Sequence, residues 1–199
     1  MYISGIGVIS DKTNKDRLVL KDMRRADDFS KMAILAAHNA FIDSGLKEAA
    51  KESLGVILST AFGPHVTTFK FLDDILDYGD ANVSPILFSH SVHNAANSYI
   101  SSNLGIRGPT LTLTDFSASF YQALLVAQSW LEEKRCKHIL VGCVEQHGKE
   151  IDYILSSIAK EYFIKEGSVF FLVSVEECLK EYCCIDILTY QDEFVSGFS

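Results

Sequence analysis

The chain has 199 residues, 48% of them apolar and 22% charged, with only three prolines, which is the profile of a globular protein able to bury a sizeable core without a metal or disulfide staple. Its net charge of −8 argues against nucleic acid or an anionic membrane as partner, since both need a basic surface. The opening Met1-Tyr2-Ile3-Ser4-Gly5 has no basic, apolar leader, and nowhere do about 18 uncharged apolar residues run together, so a cytoplasmic chain folding as one domain over residues 1–199 is expected.

Tyr2 to Ile9 reads as a buried first strand. Its Gly5-Ile6-Gly7 leads into a charged loop and not into a helix, so it lacks the context of a dinucleotide site. From Ser30 to Asp43 the apolar positions Ala33, Ile34, Ala37, Phe41 and Ile42 recur at helical spacing, and Gly45 supplies the stop. A strand, Leu54 to Ser59, follows. The turn Thr60-Ala61-Phe62-Gly63-Pro64 then opens an amphipathic helix through Phe69, Leu72, Ile75 and Leu76 that ends near Gly79.

The loop around Asp80 to Pro85 is the nearest thing to a boundary. Ser89 to Leu104 reads as one helix with Val92, Ala95, Ala96, Tyr99, Ile100 and Leu104 on a single stripe. Thr110 to Thr114 alternates hydroxyl and leucine, as a half-buried strand does. Phe116 to Leu131 then runs sixteen residues without a charge, and its apolar side chains go nearly all the way round a helix, which predicts cover on every side. Ile139 to Val144 is a continuous apolar strand of the kind buried on both faces. A helix over Ile151 to Ile158 and strands over Ser168 to Val175 and Ile185 to Tyr190 complete an α/β pattern with a mostly parallel sheet.

Ser117 stands where a strand turns into the central helix, a position from which α/β enzymes present a nucleophile. The surrounding Asp115-Phe116-Ser117-Ala118-Ser119 lacks the glycines of a hydrolase elbow, and the plainer role is that Ser117, or Asp115 before it, caps the helix. A helix terminus contributes up to about 2 kcal/mol, or about 1.5 pKa units, which activates a thiol but leaves a hydroxyl almost untouched. A serine nucleophile therefore needs a dedicated base. His90 and His93 are the candidates; as an H-x-x-H pair they could also be metal ligands, but no third ligand stands at a fixed spacing, and a helix-start cap and a partly buried polar residue are the plainer roles. His38 and His147 have no identifiable companions. The five cysteines, Cys136, Cys143, Cys178, Cys183 and Cys184, are odd in number and lie in apolar segments, so reduced core thiols are expected; the vicinal Cys183-Cys184 points to opposite faces of a strand and forms no redox motif.

The run Phe88-Ser89-His90-Ser91-Val92-His93-Asn94-Ala95-Ala96, followed by Leu104-Gly105-Ile106-Arg107-Gly108-Pro109-Thr110-Leu111-Thr112, resembles the approach to the active site of β-ketoacyl synthases. Ser117-Ala118-Ser119 then stands in the place of that family's Cys-Ala-Ser. Val141-Gly142-Cys143-Val144-Glu145 is similar to its glycine-rich strand, Glu166-Gly167-Ser168 to Glu176 to the strand closing its N-terminal half, and Ile3-Ser4-Gly5-Ile6-Gly7 and the Arg25 to Gly45 helix also match.

The resemblance implies half of a thiolase-like fold: a mixed, mostly parallel, five-stranded sheet with helices on both faces. It implies that Ser117 replaces the catalytic cysteine and that the sequence stops where such enzymes continue into a half carrying two histidines and a lysine, so a self-sufficient condensing enzyme is not expected. Relatives of this kind act as chain-length factors beside an active β-ketoacyl-ACP synthase in fatty acid, polyketide or aryl-polyene-type biosynthesis. The expected role is a non-catalytic subunit of that sort, with an acyltransferase or thioester hydrolase using Ser117 as the alternative.

On the same resemblance, a homodimer or heterodimer forms through the Thr110 to Thr114 strand, and Phe116 and Phe120 narrow any acyl tunnel. His90 and His93 are polar neighbours of the site. No cofactor or metal is expected. An acidic acyl carrier protein is repelled by the −8 chain unless Lys21, Arg24 and Arg25 form a local basic patch, so it docks mainly on the partner.

Overall fold

The computed structural model describes residues 1–10, 23–79, 82–158, 165–175 and 182–185. Six strands form one sheet: β1 (Tyr2–Ser10), β2 (Leu54–Thr60), β3 (Thr110–Thr114), β4 (His138–Glu145), β5 (Gly167–Ser174) and β6 (Cys183–Cys184), in the order β3-β2-β4-β5-β1-β6. The mixed α/β class with helices on both faces stands. The expected strand number was five, and a two-residue sixth strand pairs with β1. The balance of directions also differs. β2 runs parallel to β3 and β4, while β4 with β5, β5 with β1 and β1 with β6 are antiparallel. The parallel part is therefore confined to three adjacent strands. The strand expected over Ile185 to Tyr190 lies almost wholly outside the described residues, as do Cys178 and Lys21.

The uninterrupted apolar character of β2 and β4 follows from cover on both sides. Val56, Leu58, Leu140 and Val144 face the helices α1 (Asp28–Asp43) and α4 (Ala95–Leu104); Ile57, Ile139 and Val141 face α5 (Ser119–Glu132). β5 divides likewise, Phe170 and Leu172 to the first side and Val173 to the second. Each such side chain, removed from water, contributes about 1.5–3 kcal/mol. Helix α1 is the main lid, starting where Asp27 accepts the amide of Ser30 at 3.0 Å and burying Phe29, Met32, Ile34 and Ala37 completely or nearly so. The Gly-x-Gly of β1 is explained by this helix. A Cβ on Gly5 would strike the carbonyl of Ala40 and one on Gly7 the carbonyl of Ala36, so the two glycines let α1 lie directly on the strand.

One helical expectation is corrected. Ser89 to Leu104 is not one helix: α3 (Pro85–Ser91) and α4 are separated at Val92, whose backbone is extended at φ −86° and ψ 140°. The reason is visible in His90, whose Nε2 lies 2.7 Å from the Tyr99 hydroxyl. Nine residues along a continuous helix would place those side chains on opposite faces and about 13.5 Å apart along the axis. Only a break lets them meet.

Among the described residues the central helix α5 is covered on the side that faces the sheet. Ala123, Ala127, Trp130 and Leu131 are buried against the sheet and Phe120, Leu124 and Val126 are half-buried beside them, whereas Tyr121 is exposed and Phe116, just before the helix, is 73% exposed. The remaining helices are α2 (His65–Tyr78), which packs on α3 through Phe71 and Phe88, and α6 (Lys149–Ile158). Among the described residues no helix is long and apolar enough to cross a membrane.

Candidate functional site at the ends of the parallel strands

Because β3, β2 and β4 are parallel and in register, with Thr60 opposite Thr114 and Ser59 opposite Cys143, their C-terminal ends come out along one edge of the sheet. Open α/β sheets place ligand sites at that edge. The turns that leave it carry Phe62, Asp115, Phe116, Ser117 and Glu145.

Ser117 lies in the turn between β3 and α5 and is exposed. Its role as cap is corrected: neither Ser117 nor Asp115 caps α5, whose N-cap residue is Ala118 with no side-chain hydrogen bond. The Asp115 carboxylate instead closes the turn before the helix, accepting from the amide of Ala118 at 2.7 Å, that of Ser117 at 3.3 Å and the Gln122 side chain at 3.5 Å. The amide of Asp115, one residue past β3, donates to the Thr60 carbonyl at 3.4 Å, which anchors the residue whose carboxylate closes this turn. No hydrogen bond reaches the Ser117 hydroxyl among the described residues.

The two histidines do not converge on it. His90 is buried at the end of α3 and engaged with Tyr99. His93, exposed, lays its ring against Gly63, whose φ of +63° and missing Cβ both suit the contact; any side chain there would overlap the ring. The break between α3 and α4 is what separates the pair. Phe120 turns inward, its ring 6.0 Å from that of Phe171, while the Phe116 ring packs on Phe62 at 5.3 Å. Among the described residues no group of three or more His, Cys, Asp or Glu is placed to hold a metal. Concavities of about 440 Å³, beside Leu131, Cys136 and Val175, and about 290 Å³, beside Val66, Phe69 and Gly148, lie away from Ser117.

Three residues that sequence reasoning did not single out organise this edge. Glu145, the last residue of β4, accepts from the amides of Ala61 and Phe62, the latter at 3.4 Å, and from the Thr60 hydroxyl at 3.3 Å. Burial pushes its pKa above the ordinary carboxylate value, outweighing the three donors, which pull it down. Thr60 passes the restraint on by accepting the Gly63 amide at 2.9 Å. Asn97 of α4 donates to the Leu111 carbonyl at 2.6 Å and the Thr112 hydroxyl at 2.9 Å, holding β3 from its inner face. A carboxylate ending an apolar strand was the available signal for Glu145; nothing local marked Asn97.

His65 is buried with its Nε2 unpartnered among the described residues, and burial lowers its pKa. His147 sits 3.6 Å from Asp152.

The family described as "Beta-ketoacyl synthase, N-terminal domain" matches residues 7–168. A 3-oxoacyl-[acyl-carrier-protein] synthase 2 of Coxiella burnetii is 29% identical over 98 residues, which make up 48% of this chain and 24% of that enzyme, so the match spans about a quarter of the relative's length. Among solved structures, the ishigamide ketosynthase/chain length factor superposes with a TM-score of 0.74 at 17% identity, covering 87% of this chain and 61% of its own. A ketosynthase in complex with its chain length factor from Xenorhabdus doucetiae gives 0.68 at 15% identity, covering 86% and 77%.

Proposed function

The chain belongs to the β-ketoacyl synthase N-terminal domain family, and from that premise we propose that it is a non-catalytic, chain-length-factor-like subunit that associates with an active β-ketoacyl-ACP synthase in fatty acid, polyketide or aryl-polyene-type biosynthesis. The observation that carries the reading is the state of position 117: a serine hydroxyl with no base hydrogen-bonded to it, while His90 and His93 are engaged elsewhere. A helix terminus lowers a pKa by about 1.5 units, far too little to ionise a hydroxyl. Phe116, on this reading, faces any acyl group at the site, and Phe120 lines it from the core side.

The free edge of β3 supports association. Among the described residues β3 is the last strand of its sheet, and bonds from Val56 N to Pro109 O and from Asp115 N to Thr60 O fix its parallel register with β2. That register turns the amides of residues 111 and 113 toward β2 and those of 110, 112 and 114 outward, where a partner strand can take them. The exposed side of α5, with Tyr121 and Phe116, lies beside this edge and supplies apolar surface. An acidic carrier protein docks on the partner, since Arg24 and Arg25, both exposed, are the only described members of the basic patch.

The test is Thr112→Pro against Thr112→Val. Proline removes the central outward amide without touching the β2 ladder; valine keeps the amide and removes only the hydroxyl that Asn97 holds. Co-purification with a condensing enzyme should be lost with proline and kept with valine. Equal retention by both, or an acyl adduct on Ser117 of the unaltered chain after incubation with acyl thioesters, overturns the proposal.

A further inference from the structure

The turn that leads into α5 already holds an anion. The Asp115 carboxylate accepts from both Ser117 N and Ala118 N, the two backbone donors closest to position 117, and Gln122 donates to the same oxygen. In an acyl-transfer site, donors of this kind are kept open for the charge that develops on the reacting group. Here they are taken. The carboxylate is not a swinging side chain, because Asp115 N is bonded to Thr60 O and the neighbouring Phe116 ring is packed on Phe62. Among the described residues no lysine or arginine pairs with it, so its charge is answered by the two turn amides and the Gln122 side chain.

We propose that Asp115 is an internal counter-anion fixed on the backbone amide of position 117 in the turn before α5, so that position 117 is silenced twice: by the missing thiol, and by a carboxylate that would deny a thiol its activation. This rests on the reading of position 117 as a vacated nucleophile position. A carboxylate bonded to the amide of position 117 repels a thiolate at that position and so offsets what the nearby helix terminus would contribute. Putting cysteine back at position 117 therefore does not by itself restore a low-pKa nucleophile. Removing the Asp115 charge does.

The experiment compares Ser117→Cys with Ser117→Cys/Asp115→Asn in the full chain. Alkylation by iodoacetamide, in which the thiolate displaces iodide to leave a thioether, is followed against pH at the peptide carrying position 117 by mass spectrometry, so other cysteines do not interfere. The single variant should show its midpoint at or above an ordinary thiol value of about 8.5. The double variant should fall by about one unit, with roughly tenfold faster alkylation at pH 7. Asparagine keeps the shape and an acceptor oxygen, and Asp115→Thr serves as a second neutral replacement if a thermal melt shows that the asparagine variant has lost its fold. Equal midpoints in single and double variants, or a midpoint already well below 8.5 in the single one, overturn the inference. The two readings fail separately, because these midpoints are measured without a partner and co-purification without a cysteine.

Discussion

Replacing Glu145 by alanine strands the amides of Ala61 and Phe62 and the hydroxyl of Thr60 without their acceptor. A buried donor left unsatisfied costs about 1–3 kcal/mol, and in a partly buried turn that water can enter the lower half applies, so the two amides together should cost about 2–4 kcal/mol. Glu145→Gln keeps the volume and one acceptor oxygen but aims an NH₂ at groups that are themselves donors, and should cost about 1–2 kcal/mol near pH 8. The dependence on pH isolates the charge. Because burial raises the folded pKa of Glu145 above its ordinary value of 4.5, the native chain binds this proton more tightly than the unfolded chain does. Between 4.5 and the folded value, the contribution of Glu145 to stability falls as pH rises and grows as pH falls. Glutamine does not titrate, so the advantage of the unaltered chain over Glu145→Gln should widen as pH is lowered from 8 toward 5. Urea unfolding followed through Trp130, buried between α5 and the sheet, measures it. A difference that stays constant or narrows as pH falls refutes the assignment of a desolvated carboxylate.

Gly7→Ala should lower stability by about 1–3 kcal/mol, because the new methyl meets the Ala36 carbonyl and forces α1 off β1; the exposed Val8→Ala next to it should stay within about 0.5 kcal/mol, and equal urea midpoints for the two would refute the close approach. Native-state alkylation should label the exposed Cys183 and Cys184 well before Cys136 and Cys143, whose thiols burial pushes up to about 11; equal rates at all four would contradict the burial.

The cysteine expectation thus divides: Cys136, in the turn before β4, is buried in the core and Cys143 lies in β4, as apolar neighbours in sequence suggested, but Cys183 and Cys184 are exposed on the short edge strand β6. Local sequence could not separate the two pairs, because exposure at a sheet edge depends on which strand lies next to which. The same holds for Ser89 to Leu104. Its apolar stripe has helical period throughout, and the break at Val92 is imposed by the pairing of His90 with Tyr99 and the seating of His93 on Gly63. Neither contact has a local signature.

What the amino-acid order determined by itself is the alternation of strands and helices, the burial of β2 and β4 on both faces and the position of Ser117 at the mouth of the central helix, since each is written in periodicity or in motif. Tertiary structure decided the rest. Among the described residues it restricted the parallel pairing to three strands, left one side of α5 and the outer edge of β3 uncovered, separated His90 from His93, and folded the Asp115 carboxylate onto the amides of Ser117 and Ala118. Those outcomes depend on contacts between residues far apart in the chain, such as Glu145 with the turn after β2 and Asp115 with Thr60, which no window of sequence contains.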